Sequence, residues 1–191
     1  SLFIEPTILS LLVAKLRKGS IKNLERVELR AWYLLPLAAF IQIFLSISNA
    51  RGLSLGGLFF ILHMLSYILM IACVLLNIKR TSMKFFLIGI LLNFIVIFAN
   101  GGKMPVSLKG IRGINEGIAV DLPLSEFDIK HQGLGPHTKF KYLADIILIA
   151  EPYPLPKILS IGDIFIMIGL FLFLQEAMVI KNVEDPNCHD L

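Results

Sequence analysis

The chain has 191 residues, of which 56% are hydrophobic and 17% charged, and its mean hydropathy is +0.78. A soluble domain has roughly 45–50% apolar and about 25% charged residues, so this composition excludes an ordinary soluble domain and predicts a membrane protein. The net charge of +4 would suggest nucleic acid in a soluble protein. We expect no nucleic-acid partner here, because the placement of the charges between apolar segments matters more than their total.

Five apolar segments predict an all-α fold, a polytopic membrane helix bundle with about five transmembrane helices, because roughly 20 apolar residues cross about 30 Å of hydrocarbon. Their continuous Leu, Ile and Phe runs exclude a β-barrel. The segments are residues 4–16, 32–47, 55–78, 85–99 and 161–180. The first is short and opens with Glu5 and Pro6, as a tilted or half-inserted helix would.

We expect a single integral membrane domain over residues 1–191, and the basic residues predict its orientation. The first connection carries six of them: Lys15, Arg17, Lys18, Lys22, Arg26 and Arg30. The third carries Lys79, Arg80 and Lys84, whereas the second carries only Arg51. The positive-inside rule then places the N-terminus outside a bacterial cytoplasmic membrane and the C-terminus inside, with an extracytoplasmic loop at 101–159 and a cytoplasmic tail at 181–191.

Small and polar side chains at helical spacing predict which helix faces point into the bundle. These faces are Thr7, Ser10 and Ala14; Gln42, Ser46 and Asn49; His63, Ser66 and Tyr67; and Gly89, Asn93 and Asn100. Hydrogen bonding between helices explains most of them. His63 is also a candidate functional group, because an ionisable side chain is costly inside a membrane.

Other short patterns predict no cofactor, metal or nucleotide. The GGK stretch at 101–103 lacks the spacing of a phosphate-binding loop. Cys73 and Cys188 lie in regions that should not meet, so both are expected to be free thiols. The CHD stretch at 188–190 has metal-ligand residue types, but three adjacent residues in a terminus rarely form a metal site.

Two segments precede the last helix. The stretch YLADIILIA at 142–150 is too short to span a membrane as a helix, so we expect it to pack on the outer rim of the bundle or to dip into the interface. The stretch EPYPLP at 151–156 should be extended and return the chain to Ser160.

Asp163 at the start of the last apolar segment has two interpretations. Ser160 and Asp163 fit a capping box, in which each side chain bonds a backbone amide of the other. Alternatively, Asp163 belongs to a polar site at the outer face, where five side chains come at the ends of their segments: Glu5, Asn49, Asn100, Asp145 and Asp163. Two carboxylates close together at such a boundary would share a proton and could activate water.

The stretches LADII and SIGDIFIMIG are similar in layout to the last part of lipoprotein signal peptidase. That family has a V-V-D-F segment and then F-N-x-A-D-x-x-I-x-x-G, whose Asp is catalytic. Asp163, Ile166 and Gly169 match the second motif. The G-N-x-x-D-R motif with the other catalytic Asp is absent, and Asp145 matches the acid of V-D-F.

A longer resemblance is carried by the stretches at 3–32, NGGKMPVS at 100–107, LADII at 143–147 and SIGDIFIMIGLFLFLQ at 160–175. Together they resemble an uncharacterised bacterial family of small multi-pass membrane proteins, the domain of unknown function 5317. The resemblance implies the architecture and no particular activity. It implies that ten positions recur in the family: Asn100, Gly101, Gly102, Met104, Pro105, His131, Thr138, Asp145, Gly162 and Asp163.

From these patterns we expect a protein that binds or processes a lipid headgroup or a peptide at the outer membrane face. Asp163 and Asp145 are the catalytic candidates, and five residues are ligand-binding candidates: Asn100, Lys103, His131, Glu5 and Asn49. A non-catalytic accessory or scaffold subunit with a protein partner in the membrane is the alternative. A small transporter is third, because the inward faces carry no acid.

Overall fold

The computed structural model describes residues 4–107, 130–149 and 157–179, and helices occupy all five predicted apolar segments. The helices are α1 (Ile4–Leu16), α2 (Leu34–Ala50), α3 (Gly57–Leu76), α4 (Thr81–Ala99) and α5 (Ile161–Met178). Short 3₁₀ helices lie at Ile21–Arg26 and Lys141–Leu143. The predicted helical membrane bundle is therefore confirmed as a fold class.

Three of the described helices are long and apolar enough to cross a membrane: α3, α4 and α5. Helix α2 is apolar but has 17 residues, and α1 has 13. At about 1.5 Å per residue, α1 is roughly 20 Å long, which is short of the hydrocarbon thickness of about 30 Å. The apolar helices indicate a membrane location for the protein.

The described part of the segment between α4 and α5 contains four short strands that the all-α prediction did not include. They are β1 (Met104–Val106), β2 (His131–Gly133), β3 (Ile147–Ile149) and β4 (Lys157–Leu159). Strand β1 pairs in parallel with β2, and β3 pairs antiparallel with β4. Residues 147–149 of YLADIILIA thus form a strand, because runs of Ile favour extended backbone once a partner strand is present. The EPYPLP stretch and the tail lie outside the described residues.

Helices α4 and α5 pack antiparallel and in close contact. A Cβ on Gly89 would overlap the Gly162 carbonyl, and a Cβ on Gly169 would lie 3.0 Å from the ring of Phe86. The glycines therefore let the two backbones approach. At the far end of the pair, the Glu176 carboxylate accepts hydrogen bonds from Ser82 N (3.0 Å) and Ser82 Oγ (2.6 Å), so an acid of α5 caps the first turn of α4.

The predicted inward faces of α1, α3 and α4 are buried except at Thr7, Tyr67 and Asn100, which are partly exposed. Ser10 of α1 donates a hydrogen bond to Phe171 O at 2.8 Å, and Gln175 donates to Ser10 O at 2.7 Å, so these groups join α1 to α5. His63 and Ser66 are buried on α3, and Gly89 and Asn93 on α4.

The prediction for α2 was wrong for two of its three polar residues, Ser46 and Asn49. Its buried residues are Ala38, Ile41, Leu45 and Ser48, whereas Ser46 and Asn49 are exposed. The polar row of α2 is instead at the edge of the bundle, where Lys130 binds Ser46 Oγ at 3.0 Å. Gln42 of the same row reaches inward and donates a hydrogen bond to Ser66 Oγ.

Two ends of the bundle differ in character. At one end, here called the loop end, the start of α1 and the start of α5 meet through an ion pair of Glu5 with Lys157. At the opposite, basic end, the 3₁₀ helix Ile21–Arg26 is fixed to the end of α5, because Asn23 donates a hydrogen bond to Met178 O at 2.8 Å. The strands and the polar connections of the loop end build the candidate site.

Candidate functional site

A polar cavity of about 410 Å³ lies at the loop end, between α3, α4, the start of α5 and the strands. Six ionisable side chains with acid or base character line it: His63, Lys130, His131, Asp145, Lys157 and Asp163. Gln42, Tyr67 and Asn93 are also in the wall. A concave space with a few convergent polar groups is the usual form of a small-molecule site. We call it the polar cavity.

Asp163 is positioned by the start of α5. The predicted capping box is present: Ser160 Oγ accepts a hydrogen bond from Asp163 N at 3.0 Å, and Asp163 Oδ2 accepts one from Ser160 N at 3.0 Å. Asp163 Oδ1 accepts a further hydrogen bond from Asn93 Nδ2 at 2.9 Å. Asp163 is therefore a helix cap, and it lines the polar cavity as well.

Gly162 makes this arrangement possible. A Cβ at residue 162 would overlap Asn93 Oδ1, the atom that accepts a hydrogen bond from Ser160 Oγ at 3.0 Å. Asn93 thus contacts Ser160 and Asp163 together, and it needs a residue without a side chain between them.

Asp145 is positioned by backbone pairing with β1. Asp145 N donates a hydrogen bond to Pro105 O, and Ser107 N donates to Asp145 O, both at 2.9 Å. These bonds hold the residue beside a buried strand, and its own exposure is 8%. The Oδ1 atom of Asp145 is buried and has no hydrogen-bond partner among the described residues. A buried acceptor without a partner is costly, so this oxygen is a place where a ligand donor would be favourable.

Burial and the neighbouring charges together set the pKa of Asp145. Burial first, and then the nearby Asp163 carboxylate, raise this pKa to about 7, while His131 opposes the rise. His131 Nε2 lies 3.9 Å from Asp145 Oδ2. Near neutral pH, the Asp145 carboxyl is therefore present in both its neutral and its charged form.

The basic side chains of the polar cavity approach from other elements. Lys157 of β4 pairs with Glu5 of α1. Lys130 donates hydrogen bonds to Gln42 O at 3.3 Å and to Ser46 Oγ at 3.0 Å, which joins the loop to α2. His63 Nδ1 lies 3.0 Å from Gly102 O, so the buried histidine also fixes the turn after α4.

The predicted site residues thus divide into separate groups. Asp145, Asp163 and His131 line the polar cavity, and Glu5 binds one of its lysines. The expected convergence of all five outer side chains was wrong for two of them. Asn100 accepts a hydrogen bond from Lys139 N and donates to Lys139 O, both at 2.9 Å, so it fixes the loop to the end of α4.

Lys103 and Asn49 line a second pocket of about 350 Å³ beside the connection from α2 to α3. Lys103 lies there because it follows Gly101 and Gly102. Both glycines have positive φ and turn the chain toward α3 before β1 begins. The polar cavity and this second pocket share no lining residue.

The polar lining residues that were not predicted as site residues include Lys130, Lys157 and Asn93. Asn93 carried a signal, because a polar side chain in an apolar helix must face a partner, but bonding between helices explained it equally well. The two lysines carried no signal, because long-range strand pairing and the ion pair with Glu5 are not readable from local sequence. Among the described residues, no group of three or more His, Cys, Asp or Glu could hold a metal ion. Cys73 is a free, buried thiol, and CHD at 188–190 lies outside the described residues.

Comparison with known proteins gives a family and no activity. Residues 26–175 match a family of unknown function, DUF5317, and the chain belongs to that family. An uncharacterised protein of Thermotoga maritima is 30% identical over 134 residues, which covers 65% of this chain and 74% of the relative. No solved structure matches the chain. The comparisons do not show the resemblance to lipoprotein signal peptidase.

Proposed function

We propose that this member of the DUF5317 family binds the polar headgroup of a membrane amphiphile in the polar cavity. The observation that carries the proposal is Asp145 Oδ1, a buried acceptor that lines the cavity and has no hydrogen-bond partner among the described residues. The volume of about 410 Å³ suits a headgroup or a short peptide end. The apolar helices support a location where such ligands are abundant.

Native mass spectrometry of the purified, delipidated protein tests this proposal. Lipid added back should bind saturably with a stoichiometry of one, and Asp145→Asn should weaken the binding. Glu28→Gln is the matched control, because Glu28 is an exposed acid in the connection from α1 to α2. A stable protein partner that co-purifies in equal amount, together with no saturable lipid binding, would favour the scaffold alternative instead.

A second candidate function is hydrolysis of the bound headgroup. It is favoured by two acids in one cavity, one of which has a pKa of about 7, close to the value that suits a general acid or base. One carboxylate would take a proton from water as the water oxygen attacks an acyl or phosphoryl centre, and the protonated carboxyl would give its proton to the leaving oxygen. Release of a water-soluble headgroup from lipid vesicles, lost in both Asp145→Asn and Asp163→Asn, is the test.

We also propose that the loop end lies outside the cell. Basic residues of the first and third connections lie at the opposite end of the bundle, which supports this orientation by the positive-inside rule. Lys139 at the loop end and Lys79 at the basic end are both exposed. In intact cells, an impermeant thiol reagent should label Lys139→Cys and leave Lys79→Cys unlabelled, and the reverse pattern would invert the topology.

A further inference from the structure

The chemistry of the polar cavity narrows the ligand class. In the charged form of Asp145, its buried and unpartnered Oδ1 needs a hydrogen-bond donor, and Asp163 in the same cavity adds a second negative charge that interacts with Asp145. A neutral donor would satisfy the oxygen and leave the repulsion between the two carboxylates unchanged. A cationic donor would satisfy the oxygen and reduce that repulsion, so it is favoured on both counts.

Three cations of the cavity have identified contacts with atoms other than Asp145 Oδ1. His131 faces the other oxygen of Asp145, at 3.9 Å from Oδ2. Lys157 pairs with Glu5, and Lys130 binds Gln42 O and Ser46 Oγ. None of these contacts reaches Asp145 Oδ1, which is why the donor for this atom is expected from a ligand.

The lining also distinguishes between kinds of ammonium. A quaternary ammonium has no N–H to donate and is recognised by cages of aromatic rings. Of the described lining residues, Tyr67 alone is a Phe, Tyr or Trp. A primary ammonium, with three N–H donors, fits a cavity whose distinctive feature is an unpartnered carboxylate oxygen.

Two further features indicate that the ammonium belongs to a lipid. Lys130 and Lys157 each have a protein partner, and an ammonium group has three N–H donors, so their positive charge in the same cavity also suits the phosphate of a zwitterionic headgroup. Helix α2 contributes Gln42 to the cavity wall and exposes three large apolar side chains nearby in sequence, Phe40, Ile43 and Phe44. An acyl chain can lie along this face while the headgroup enters the cavity.

We propose that the polar cavity is specific for a lipid with a primary ammonium on a phosphate headgroup, of the phosphoethanolamine type, with Asp145 Oδ1 as the acceptor for the ammonium. This inference rests on the proposed function, that the cavity binds a headgroup. It adds which headgroup is bound and which atom selects it.

Competition among three lipids with the same acyl chains tests the inference on the unmodified protein. The lipids are phosphatidylethanolamine, its N-trimethylated analogue phosphatidylcholine, and phosphatidylglycerol, which has no ammonium. Because a hydrogen bond to a charged group contributes about 1.5–3 kcal/mol, phosphatidylethanolamine should bind roughly tenfold or more tightly than the other two. Native mass spectrometry measures the ratio. In Asp145→Asn the ratio should fall toward one, whereas Glu28→Gln should keep it.

The outcomes separate the two proposals. Saturable binding of all three lipids within about threefold of each other would overturn the ammonium inference and leave headgroup binding in place. Saturable preference for phosphatidylglycerol would do the same. No saturable binding of any lipid would overturn both. Soluble phosphoethanolamine should compete with phosphatidylethanolamine, and competition by peptides with free N-termini but not by phosphoethanolamine would overturn the lipid assignment.

Discussion

Replacing Asp145 by Asn should stabilise the protein at high pH and leave it unchanged at low pH. The Asp145 carboxyl is buried beside β1, next to the Asp163 carboxylate, and both conditions disfavour its charged form. The substitution removes that charge and keeps the size of the side chain. Asn also places an amide group where a ligand ammonium would otherwise bind, so stability and binding should change in opposite directions.

The free-energy cost of the charged Asp145 carboxylate follows from its raised pKa. The pKa of Asp145 rises from an ordinary 3.8 to about 7, and each unit corresponds to about 1.4 kcal/mol, so the cost at pH 8 is on the order of 4 kcal/mol. Since the folded state holds this proton more tightly than the unfolded state, the cost is absent below about pH 4, grows as the pH rises, and is complete above about pH 7.

Thermal unfolding in detergent between pH 5 and pH 8 measures this effect. The Tm of the unmodified protein should fall as the pH rises, and the Tm of Asp145→Asn should change less and be several degrees higher at pH 8. Glu28→Gln, at an exposed acid, should follow the unmodified protein. If Asp145→Asn lowers the Tm by the same amount at every pH, the carboxyl is a structural hydrogen-bonding group and the electrostatic argument fails.

Two further substitutions test the way in which the acids are positioned. Asp163→Asn keeps one acceptor oxygen for Ser160 N or Asn93 Nδ2 and replaces the other by an amide donor, so it should cost about 1 kcal/mol. It should also lower the pKa of Asp145, so the pH range over which the Tm falls should move down, and an unchanged range would refute the interaction of the two carboxylates. Gly162→Ala would force a Cβ onto Asn93 Oδ1 and should cost about 1–3 kcal/mol or more in thermal unfolding. Gly57→Ala is its control, since a Cβ there meets nothing within 4 Å, and equal losses in the two variants would contradict the packing argument.

Local sequence predicted the helices and the cap well. The apolar segments became α1 to α5 because membrane composition leaves the backbone few alternatives to the helix. The Ser160 and Asp163 pattern predicted a capping box because both hydrogen bonds lie within four residues of one another. Asp145 and Asp163 were expected to lie close together because both come at the outer ends of their segments, and both line the polar cavity.

Long-range contacts were not predictable in the same way. Residue 145 is fixed by β1, about 40 residues earlier, and no local pattern encodes that register. The burial of α2 was misassigned because its polar row faces Lys130 at the bundle edge, a contact across 88 residues with Gln42. Lys103 and Asn49 were grouped with the two acids only because all of them were expected at the same level of the membrane. The turn at Gly101 and Gly102 instead directs Lys103 to the second pocket, beside Asn49 and away from the acids.

The mutual capping of α4 and α5 also constrains the order of assembly during synthesis. Glu176 of α5 accepts a hydrogen bond from Ser82 N at the start of α4, and Asp163 of α5 accepts one from Asn93 further along α4. Both polar residues of α4 therefore have no partner on α5 until α5 has been synthesised. At about 5–20 residues per second, the ribosome needs several seconds to complete the roughly 60 residues between these helices. During that interval α4 exposes Asn93 and a glycine face to lipid or to an insertion chaperone. A chain that ends before α5 should therefore be removed by quality control, because the polar groups of α4 are paired only once α5 is present.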